Sequence, residues 1–536
     1  MRFDERLKKT SHDSLWQEYC GFLDMSLSEY MYTQRRLMEE QLRLWCACPL
    51  GRQLLRGRQP RTVEELREQL PLTTYADYAD VLLAKRGDML CAEPAIWIRT
   101  TWEGGLRPIK LAPYTREMLD RYRHNLIATM MMASARRKGD FDLKAGYRIL
   151  YGGAPLPYAT GLVPSLLEED IHYEWLPDGD AGSGLSFSQR IKKGFGMAMS
   201  GGVDFFFSIG SVANYITESF SKPGGGGSRS GLRVSPGNAL RYLRARYISR
   251  RDGRPVRPGD IFRLKAFFYG GTDARCYKQR LTEAWGVVPT EAMLGTESTC
   301  MGSETWEHNG MVLYPDACFY EFIPEEELRR NLEDPAYTPR TCLMDEVRGG
   351  ENYEIVLSVL HGGAFMRYRI GDVFRCLSAG GQELPRFSYV DRVPDVIDIA
   401  GFTRITEASM HEVINLSHLT LGDWVLKKEY DEGENPFLHM YLEIPPEAQE
   451  REVTVRQVLQ EHLSVYFKYF DSDYGDLKKL LNMEPLQITI LKYGTIAAYE
   501  RERGKRMNRI NPGMLDVMGM LKAQDRPAAS DRRGCP

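Results

Sequence analysis

The stretch "FMRYRIGDVFRC", residues 365–376, decides the fold of this chain. Its Tyr, Ile, Val and Phe residues favour β-structure, so it predicts a strand with Gly371 and Asp372 side by side. An Asp next to a Gly often satisfies backbone groups in a turn. A carboxylate that is held on a strand can instead accept hydrogen bonds from a bound ligand. The rest of the chain is needed to choose between these two interpretations.

Other segments of the same kind surround this strand. "YEIVLSVL" (353–360) precedes it, and "HGG" between the two predicts the turn of a β-hairpin. Strands that end in glycine-containing turns and lead into helical patterns recur at residues 147–157, 262–272 and 287–298. This arrangement is typical of an α/β protein, in which ligands bind where the strands end.

The length and a change of character predict more than one domain. We predict an α/β fold with a large N-terminal domain of mixed sheets and flanking helices, at residues 1–398. Residues 391–402 introduce a different pattern, which predicts a small mobile α+β C-terminal domain at residues 399–523. The polar residues 524–536 predict a disordered tail. The Gly/Ser-rich residues 221–231 predict a mobile loop or a plain surface connection.

The composition excludes several classes of function. The 536 residues include 70 basic and 73 acidic side chains, a net charge of −3 that favours neither nucleic acid nor an anionic membrane as partner. Ten scattered cysteines without a CxxC pair and nine histidines argue against a zinc site. The charged N-terminus and the lack of a run of ~20 apolar residues predict a cytoplasmic protein with free thiols.

Three further strand ends carry polar or glycine-rich motifs. "RTTWEGGLRPIK" (99–110) combines hydroxyls, glycines and a lysine that can meet phosphate oxygens, although ordinary turns have the same composition and no GxxxxGK[ST] loop is present. "FYGGT" (268–272) and "LGTES" (294–298) follow in order. Glu297 can ligate magnesium or can be a capping carboxylate.

Together with "YRIGD", these motifs resemble the adenylate-forming superfamily, which includes acyl-CoA ligases, firefly-type luciferases and peptide-synthetase adenylation domains. The chain is most similar to the auxin-responsive promoter family, the acyl-acid amido synthetases that conjugate auxin and jasmonate to amino acids in plants, and to their bacterial relatives. The resemblance extends from about residue 30 to about residue 515. It includes the stretches 41–57, 62–82, 267–281, 368–375, 394–407 and 470–477.

The resemblance implies a two-step ligase reaction with ATP and magnesium. A carboxylic acid attacks the α-phosphate of ATP and gives an acyl-adenylate and pyrophosphate. An amine, such as an amino acid, then displaces AMP. The work of the protein in such chemistry is positioning and charge stabilisation.

The resemblance also assigns roles by position. Asp372 would accept hydrogen bonds from the ribose, and Glu297 would bind magnesium. Gly295 and Thr296 would line the adenine or the α-phosphate. Arg392 and Lys505 would be the hinge-proximal and catalytic basic residues, although a solvated run of charge is an alternative for Lys505. The phosphate loop would be formed by Thr100, Thr101, Gly104, Gly105 and Lys110. The wall near the nucleobase and the acyl group would be formed by Gly270, Gly271 and Thr272.

The acid would bind beside these groups. Residues 194–216 form the longest apolar region, and Met199, Phe206 and Phe207 could line an acyl pocket there. An ordinary buried helix would have the same composition.

Two motifs depart from the family pattern. Trp102 and Glu103 occupy the middle of the phosphate loop, where a carboxylate repels a triphosphate, and Leu294 stands where an aromatic residue is common. Trp102 and Glu103 leave open a binding protein that has lost the chemistry. Acyl-CoA ligation is a second alternative, because no basic cluster clearly marks a CoA phosphate site and the sequence does not decide between the acceptors.

Overall fold

The computed structural model describes residues 1–100, 109–178, 185, 187–221, 236–380, 383–399, 403–419, 421–432, 434–446, 455, 457–459, 461 and 486–524. The chain divides into two compact units, the first ending at Val393 and the second beginning at Pro394. The sequence-based boundary at residue 398 lies in the first strand of the second unit. Thr101, Gly104, Gly105, the core of the Gly/Ser-rich segment and the tail from residue 525 lie outside the described residues.

The first unit is built on a large mixed sheet. Two strands form a separate hairpin: β1 (Ile96–Arg99) and β2 (Leu111–Tyr114). The remaining strands of this unit are β3 (Arg148–Gly152), β4 (Glu174–Leu176), β5 (Phe205–Ile209), β6 (Ala266–Gly270), β7 (Thr290–Gly295), β8 (Thr299–Glu304), β9 (Met311–Leu313), β10 (Cys318–Pro324), β11 (Asn352–Val359), β12 (Tyr368–Ser378) and β13 (Arg386–Arg392). Within the described ranges their order in the sheet is β10-β11-β12-β13-β9-β8-β7-β6-β5-β3-β4.

Helices pack around this sheet. Those of the first unit are α1 (Phe3–Arg6), α2 (His12–Cys20), α3 (Leu27–Ala47), α4 (Pro49–Leu54), α5 (Val63–Gln69), α6 (Ala79–Leu83), α7 (Arg116–Ser134), α8 (Val163–Glu168), α9 (Phe187–Gly201), α10 (Gly210–Ser221), α11 (Pro236–Asp252), α12 (Ala274–Trp285) and α13 (Glu325–Glu333). Leu and Met recur about every three to four positions over residues 27–56, which predicts one amphipathic helix, but the structure has two helices there. Cys48 is extended and Pro49 begins α4, because a proline fits the first position of a helix but not its interior.

One half of the sheet is parallel. Strands β4, β3, β5, β6 and β7 run in the same direction, and helices connect them in sequence. Their carboxyl ends therefore lie at one edge, where the turns after β6 and β7 carry the glycine-containing motifs. The fold class predicted from the sequence is confirmed in its coarse form, a mixed α/β chain with a large mixed sheet and a smaller sheet.

The other half of the sheet is antiparallel. β11 and β12 pair in this way around the "HGG" turn, so the predicted hairpin is confirmed. His361 and Gly362 adopt φ values of 59° and 81° in that turn, a region in which glycine is free of strain. β12 continues to Ser378, beyond the predicted end of the strand, and pairs on its other side with β13.

The apolar region at residues 194–216 is not a single helix. It contains the end of α9, the buried strand β5 and the start of α10. The glycines at the ends of the strand and the run of three phenylalanines explain the difference, because aromatic residues favour strands. The buried-helix interpretation is therefore wrong for its central residues.

The second unit is a small α+β structure. Its described elements are β14 (Ile397–Ile399), β15 (Thr403–Ile405), α14 (Glu407–Ser417), β16 (Trp424–Tyr430), β17 (Pro436–Glu443), β18 (Leu486–Leu491), α15 (Thr495–Arg503) and α16 (Met514–Gln524). The last three strands form one sheet, in which β17 pairs antiparallel with β16 and parallel with β18. Among the helices that the structure describes, none has the length and apolarity to cross a bilayer.

Candidate functional site

The hairpin of β1 and β2 holds the two ends of the predicted phosphate loop. Arg99 pairs with Leu111 in the hairpin, and the Thr100 amide donates a hydrogen bond of 3.1 Å to the Lys110 carbonyl. Thr100 and Lys110 are both buried. The hairpin thus directs the lysine, the last residue of the loop, into the interior of the first unit.

Lys110 meets a carboxylate and a phenol there. Its ammonium donates to the Tyr368 hydroxyl at 3.0 Å and lies 3.7 Å from Glu297 Oε1. The Tyr368 hydroxyl in turn donates to Glu297 Oε1 at 3.3 Å. All three side chains are buried, and they come from β12, from the turn after β7 and from the end of the hairpin loop. We call Lys110, Glu297 and Tyr368 the lysine cluster.

Two more tyrosines enclose the lysine cluster. The Lys110 ammonium lies 5.4 Å from the ring centroid of Tyr75, a cation–π distance. The Tyr114 hydroxyl donates to the carbonyls of Gly295 and Thr296, at 3.3 and 2.8 Å. Burial, followed by the neighbouring Glu297 carboxylate, raises the pKa of Tyr114 well above its usual value. Tyr114 therefore stays a neutral donor that fixes the turn carrying the candidate magnesium ligand.

The turn after β7 is tightly packed. A Cβ atom on Gly295 would lie 2.3 Å from Ser298 Oγ, so no larger residue fits without a shift. Ser298 Oγ is itself buried and has no hydrogen-bond partner within the described part of the chain. The motif at the end of β6 is equally restricted, because a Cβ on Gly270 would lie 2.4 Å from the Ala292 carbonyl oxygen. Gly271 has a φ of +100° there, and Thr272 is buried.

Asp372 and Arg392 form a second charged group. They are register partners on β12 and β13, and Arg392 Nε lies 3.1 Å from Asp372 Oδ1. Arg392 Nη1 also donates to the Ile370 carbonyl at 2.6 Å. Gly371 has a φ of +80°, which glycine adopts without strain, and this lets the strand turn Asp372 toward Arg392. Both charged side chains are largely buried.

Two of the three arginines in residues 365–376, Arg367 and Arg369, have a structural role. Arg367 forms a bidentate pair with Glu321, with both N–O distances at 2.9 Å. Arg369 forms a similar pair with Glu354, at 2.9 and 2.6 Å. These pairs tie β12 to β10 and β11, so the arginines stabilise the strand on which Asp372 and Tyr368 lie.

The three candidate acyl-pocket residues are all buried. Phe206 stacks on Phe267 and packs against Trp285, whereas Phe207 stacks on Tyr151. Adjacent residues of a strand point to opposite faces, so a single pocket can include one of these two rings but not both. Met199 lies on α9. Their role in acid binding stays a prediction.

Lys505 belongs to the second unit. It is exposed and follows Gly504, which caps α15 with a φ of +69°. No group of three or more His, Cys, Asp or Glu side chains suited to a metal occurs in the described ranges. A magnesium ion commonly takes few carboxylates and completes its shell with water and phosphate oxygens, so the role predicted for Glu297 does not require such a group.

The structure brings together some predicted site residues and adds others. Lys110 and Glu297 meet, as do Asp372 and Arg392. Among the described residues, no hydrogen bond or ion pair links the turn after β6 to either pair. The tyrosines at positions 75, 114 and 368 escaped the sequence analysis, which treated Tyr368 as a packing residue. Their signal was position, since Tyr75 lies in the resembling stretch 62–82, Tyr114 lies four residues after the predicted phosphate loop, and Tyr368 begins "YRIGD".

Comparisons with known proteins bear on this arrangement. Residues 311–392, from β9 to β13, match the GH3 family central domain. A structure of 2-hydroxyisobutyryl-CoA ligase with 2-HIB-AMP and CoA aligns with a TM-score of 0.56 at 15% identity, over 88% of this chain and 87% of that one. The AtGH3.15 acyl acid amido synthetase with 2,4-DB aligns with a TM-score of 0.51 at 15% identity, over 96% of each chain. A comparison with curated protein sequences gives no significant match. The chain therefore contains a segment that matches the GH3 family central domain, and it has the fold of the aligned CoA ligase and acyl acid amido synthetase structures.

Proposed function

We propose that the protein is an ATP-dependent ligase that adenylates a carboxylic acid and transfers the acyl group to an amine, such as an amino acid. The observation that carries this proposal is the lysine cluster. It joins a candidate phosphate-binding lysine to a candidate magnesium ligand that is 187 positions away in sequence. The match of residues 311–392 to the GH3 central domain supports the choice of an amide-forming ligase.

The residues present fit a nucleotide with magnesium. Lys110 is a buried cation that can stabilise phosphate oxygens, and Glu297 is a buried carboxylate that can hold the metal ion. Tyr368 and Asp372 are four residues apart on β12, at most roughly 13 Å along the strand. That span suits a ligand with its phosphates at the lysine cluster and its ribose hydroxyls at Asp372.

Binding would exchange internal partners for ligand groups. In the structure each anion already faces a cation, Glu297 with Lys110 and Asp372 with Arg392. When a metal–nucleotide binds, the metal would supply positive charge to Glu297 and the phosphates would supply negative charge to Lys110. These charged side chains are already buried in the folded protein, so ligand binding adds little further desolvation cost for them.

The chemistry then needs positioning more than covalent help. The substrate carboxylate attacks the α-phosphorus, and the bond from that phosphorus to the bridging oxygen of pyrophosphate breaks. The charge that develops on the phosphate oxygens would be stabilised by Lys110, and bound magnesium would supply further positive charge. Attack of a neutral amine on the acyl carbon then expels AMP, and the amine loses a proton.

Pyrophosphate release tests the first step. The full-length protein is incubated with ATP, magnesium, hydroxylamine and a panel of carboxylic acids. We expect acid-dependent pyrophosphate release and an acyl hydroxamate. Glu297→Gln should raise the magnesium concentration needed for half-maximal rate, whereas Glu307→Gln, at an exposed position, should not. If no acid supports release above background and calorimetry shows no binding of ATP, the alternative of a protein that has lost the chemistry is correct.

The acceptor is tested separately. Amino acids and CoA are offered in parallel with each acid that gives pyrophosphate, and products are identified by mass. An amide supports the proposal, whereas a thioester with no amide contradicts the acceptor that we propose and leaves the adenylation step intact. The fold alone does not choose between these acceptors, because the aligned structures include both a CoA ligase and an amido synthetase.

A further inference from the structure

Helix α11 exposes a line of large apolar side chains. One face of the helix packs on the first unit, where Asn238 and Ala245 are buried. On the opposite face Leu240, Leu243 and Tyr247 are 70%, 63% and 69% exposed. Their spacing places them in one row along the helix. Isolated exposed apolar residues are common, but a contiguous patch of them marks an interaction surface. We call these three residues the outer stripe.

Arginines flank the outer stripe on both sides. At about 100° of rotation per residue, Arg244 and Arg251 lie on one side of it, and Arg246 and Arg250 lie on the other. With Arg241, the helix carries five arginines, all exposed, and its single carboxylate is Asp252 at the end. The net charge of −3 for the whole chain therefore conceals a strongly basic surface at this helix.

The helix is anchored at both ends. At its start the Asn238 side-chain amide donates to the Met199 carbonyl at 3.0 Å, which ties α11 to α9. Just beyond its end Arg254 forms a bidentate pair with Asp260, with both N–O distances at 2.8 Å. These contacts hold the packed face against the first unit, so the outer stripe and its arginines are presented together in a fixed orientation.

We propose that the exposed face of α11 docks on a membrane surface that carries anionic lipids. The outer stripe would enter the boundary between headgroups and acyl chains, as the apolar face of an interfacial helix does. The arginines on each side would reach lipid phosphates, which guanidinium groups bind with two parallel hydrogen bonds, while their aliphatic stems cover apolar surface.

The charge pattern favours a lipid surface over an acidic protein. Arginines flank the outer stripe on both sides, which complements a continuous anionic surface, whereas a protein would need two rows of carboxylates at matching positions. No helix among those described could cross a bilayer, so the protein would lie on the membrane. The proposal does not depend on ligase activity.

Co-sedimentation with vesicles tests the proposal on the full-length protein. One set of vesicles contains phosphatidylcholine alone, and a second contains phosphatidylcholine with about one third phosphatidylserine. We expect the protein to pellet with the anionic vesicles and not with the neutral ones, and the bound fraction to fall as salt is added. Polyglutamate is offered separately, because it carries carboxylates without a membrane.

Two variants separate the charged and the apolar parts of the face. Arg244→Glu with Arg250→Glu reverses charge on both sides of the outer stripe, and vesicle affinity should fall at least about twentyfold, since each arginine near an anionic surface contributes about fivefold. Leu240→Ser with Leu243→Ser keeps every charge and should lower the affinity about tenfold, because less apolar surface is buried. All four positions are exposed, so circular dichroism and the unfolding midpoint should match those of the wild type.

The matched control is Arg136→Glu with Arg137→Glu. These arginines are exposed in the segment between α7 and β3, and their reversal changes the net charge by the same amount. This variant should bind anionic vesicles as the wild type does. Modification of arginines by phenylglyoxal, mapped by mass spectrometry on the wild type, locates the contact without a substitution. Anionic vesicles should protect Arg244 and Arg250 and leave Arg136 and Arg137 reactive.

Several results would overturn the proposal. One is a wild-type protein that does not pellet with anionic vesicles, or that pellets equally with neutral ones. Another is an equal loss of binding in the control and in the α11 charge-reversal variant, which would make net charge and not this face responsible. Binding to polyglutamate without binding to anionic vesicles would assign the face to an acidic polypeptide instead.

Discussion

Two buried carboxylates, Glu321 and Glu297, contact residues 365–376 with different hydrogen-bond geometry. Glu321 is held by Arg367 in a bidentate pair with both distances at 2.9 Å, and its cation also donates to backbone carbonyls of the α5 region. Glu297 faces Lys110 across 3.7 Å, with the Tyr368 hydroxyl bonded to both. In the first pair, both carboxylate oxygens of Glu321 accept hydrogen bonds from Arg367, which is typical of a structural anchor. The second is looser, so a ligand can replace one partner without breaking the sheet.

The largest effect expected from this comparison is on stability. Arg367→Ala should lower the free energy of unfolding of the first unit by about 3–5 kcal/mol, because Glu321 would stay buried without its bidentate cation. Urea unfolding followed by circular dichroism measures this. Arg330→Ala is the matched control, since Arg330 pairs with Glu326 at the surface and its loss should leave the midpoint unchanged. Equal midpoints for the two variants would show that the Glu321 pair is not an anchor.

A third buried carboxylate, Glu291, differs from Glu321 and Glu297 because it binds a proton at a higher pH than a free glutamate does. Burial and the nearby Glu304 raise the pKa of Glu291 to about 7, against 4.5 for a free glutamate. The folded protein therefore binds this proton more tightly than the unfolded chain, and the stability that the proton supplies is present below pH 4.5 and is lost as the pH rises to about 7.

Glu291→Gln should remove the decrease in stability that accompanies the rise in pH, because glutamine has no titrating proton. We expect the variant to be more stable than the wild type by up to about 3 kcal/mol at pH 8, and to show little gain at pH 4.5. Urea unfolding at the two pH values, with the exposed Glu307→Gln as control, gives the difference. A gain of the same size at both pH values would mean that packing and not the proton is responsible.

The sequence predicted much of this arrangement because the relevant signals are local. Strand ends at Gly270, Gly295 and the "HGG" turn were visible in β-favouring residues followed by glycine. The meeting of Lys110 with Glu297 was implied only by the resemblance to a family, because Lys110 lies beside the separate β1–β2 hairpin and not at the end of a parallel strand.

What the sequence left open depends on contacts between distant parts of the chain. The role of Arg367 and Arg369 became clear only from the structure, where Glu321 and Glu354 lie opposite them on neighbouring strands. Tyr368 is a strand residue by composition, and nothing local shows that its hydroxyl lies between a lysine and a glutamate. The break between α3 and α4 was predictable from Pro49, but the amphipathic pattern across it suggested one helix.

Asp372 tests the ligand-binding role, because it lies within residues 365–376 but is proposed to bind the ribose and not to anchor the sheet. Asp372→Ala should weaken nucleotide use by about 1.5–3 kcal/mol, or roughly 10- to 150-fold in kcat/KM for ATP, because a charged acceptor for the ribose is lost. Steady-state pyrophosphate release at varied ATP measures this. Asp140→Ala, at an exposed position, should leave ATP kinetics unchanged. Unchanged ATP kinetics in Asp372→Ala would rule out the ribose role and leave Asp372 as a partner of Arg392.

Tyr368→Phe should have the smallest effect and the most specific one. The phenylalanine keeps the ring that packs against Phe365 but removes the hydroxyl that bonds both Lys110 and Glu297. Hydrogen bonds to charged groups contribute about 1.5–3 kcal/mol, and because Lys110 and Glu297 still face each other in the variant we expect the lower end of that range, a decrease in kcat/KM of about tenfold, with a nearly unchanged unfolding midpoint. Tyr353→Phe, which removes a hydroxyl that bonds Glu351 in the same sheet, is the control for the loss of a buried phenol. If Tyr368→Phe lowers the free energy of unfolding by more than it raises the activation free energy derived from kcat/KM, the lysine cluster is a structural anchor like the Glu321 pair. The functional distinction between the two carboxylates then fails.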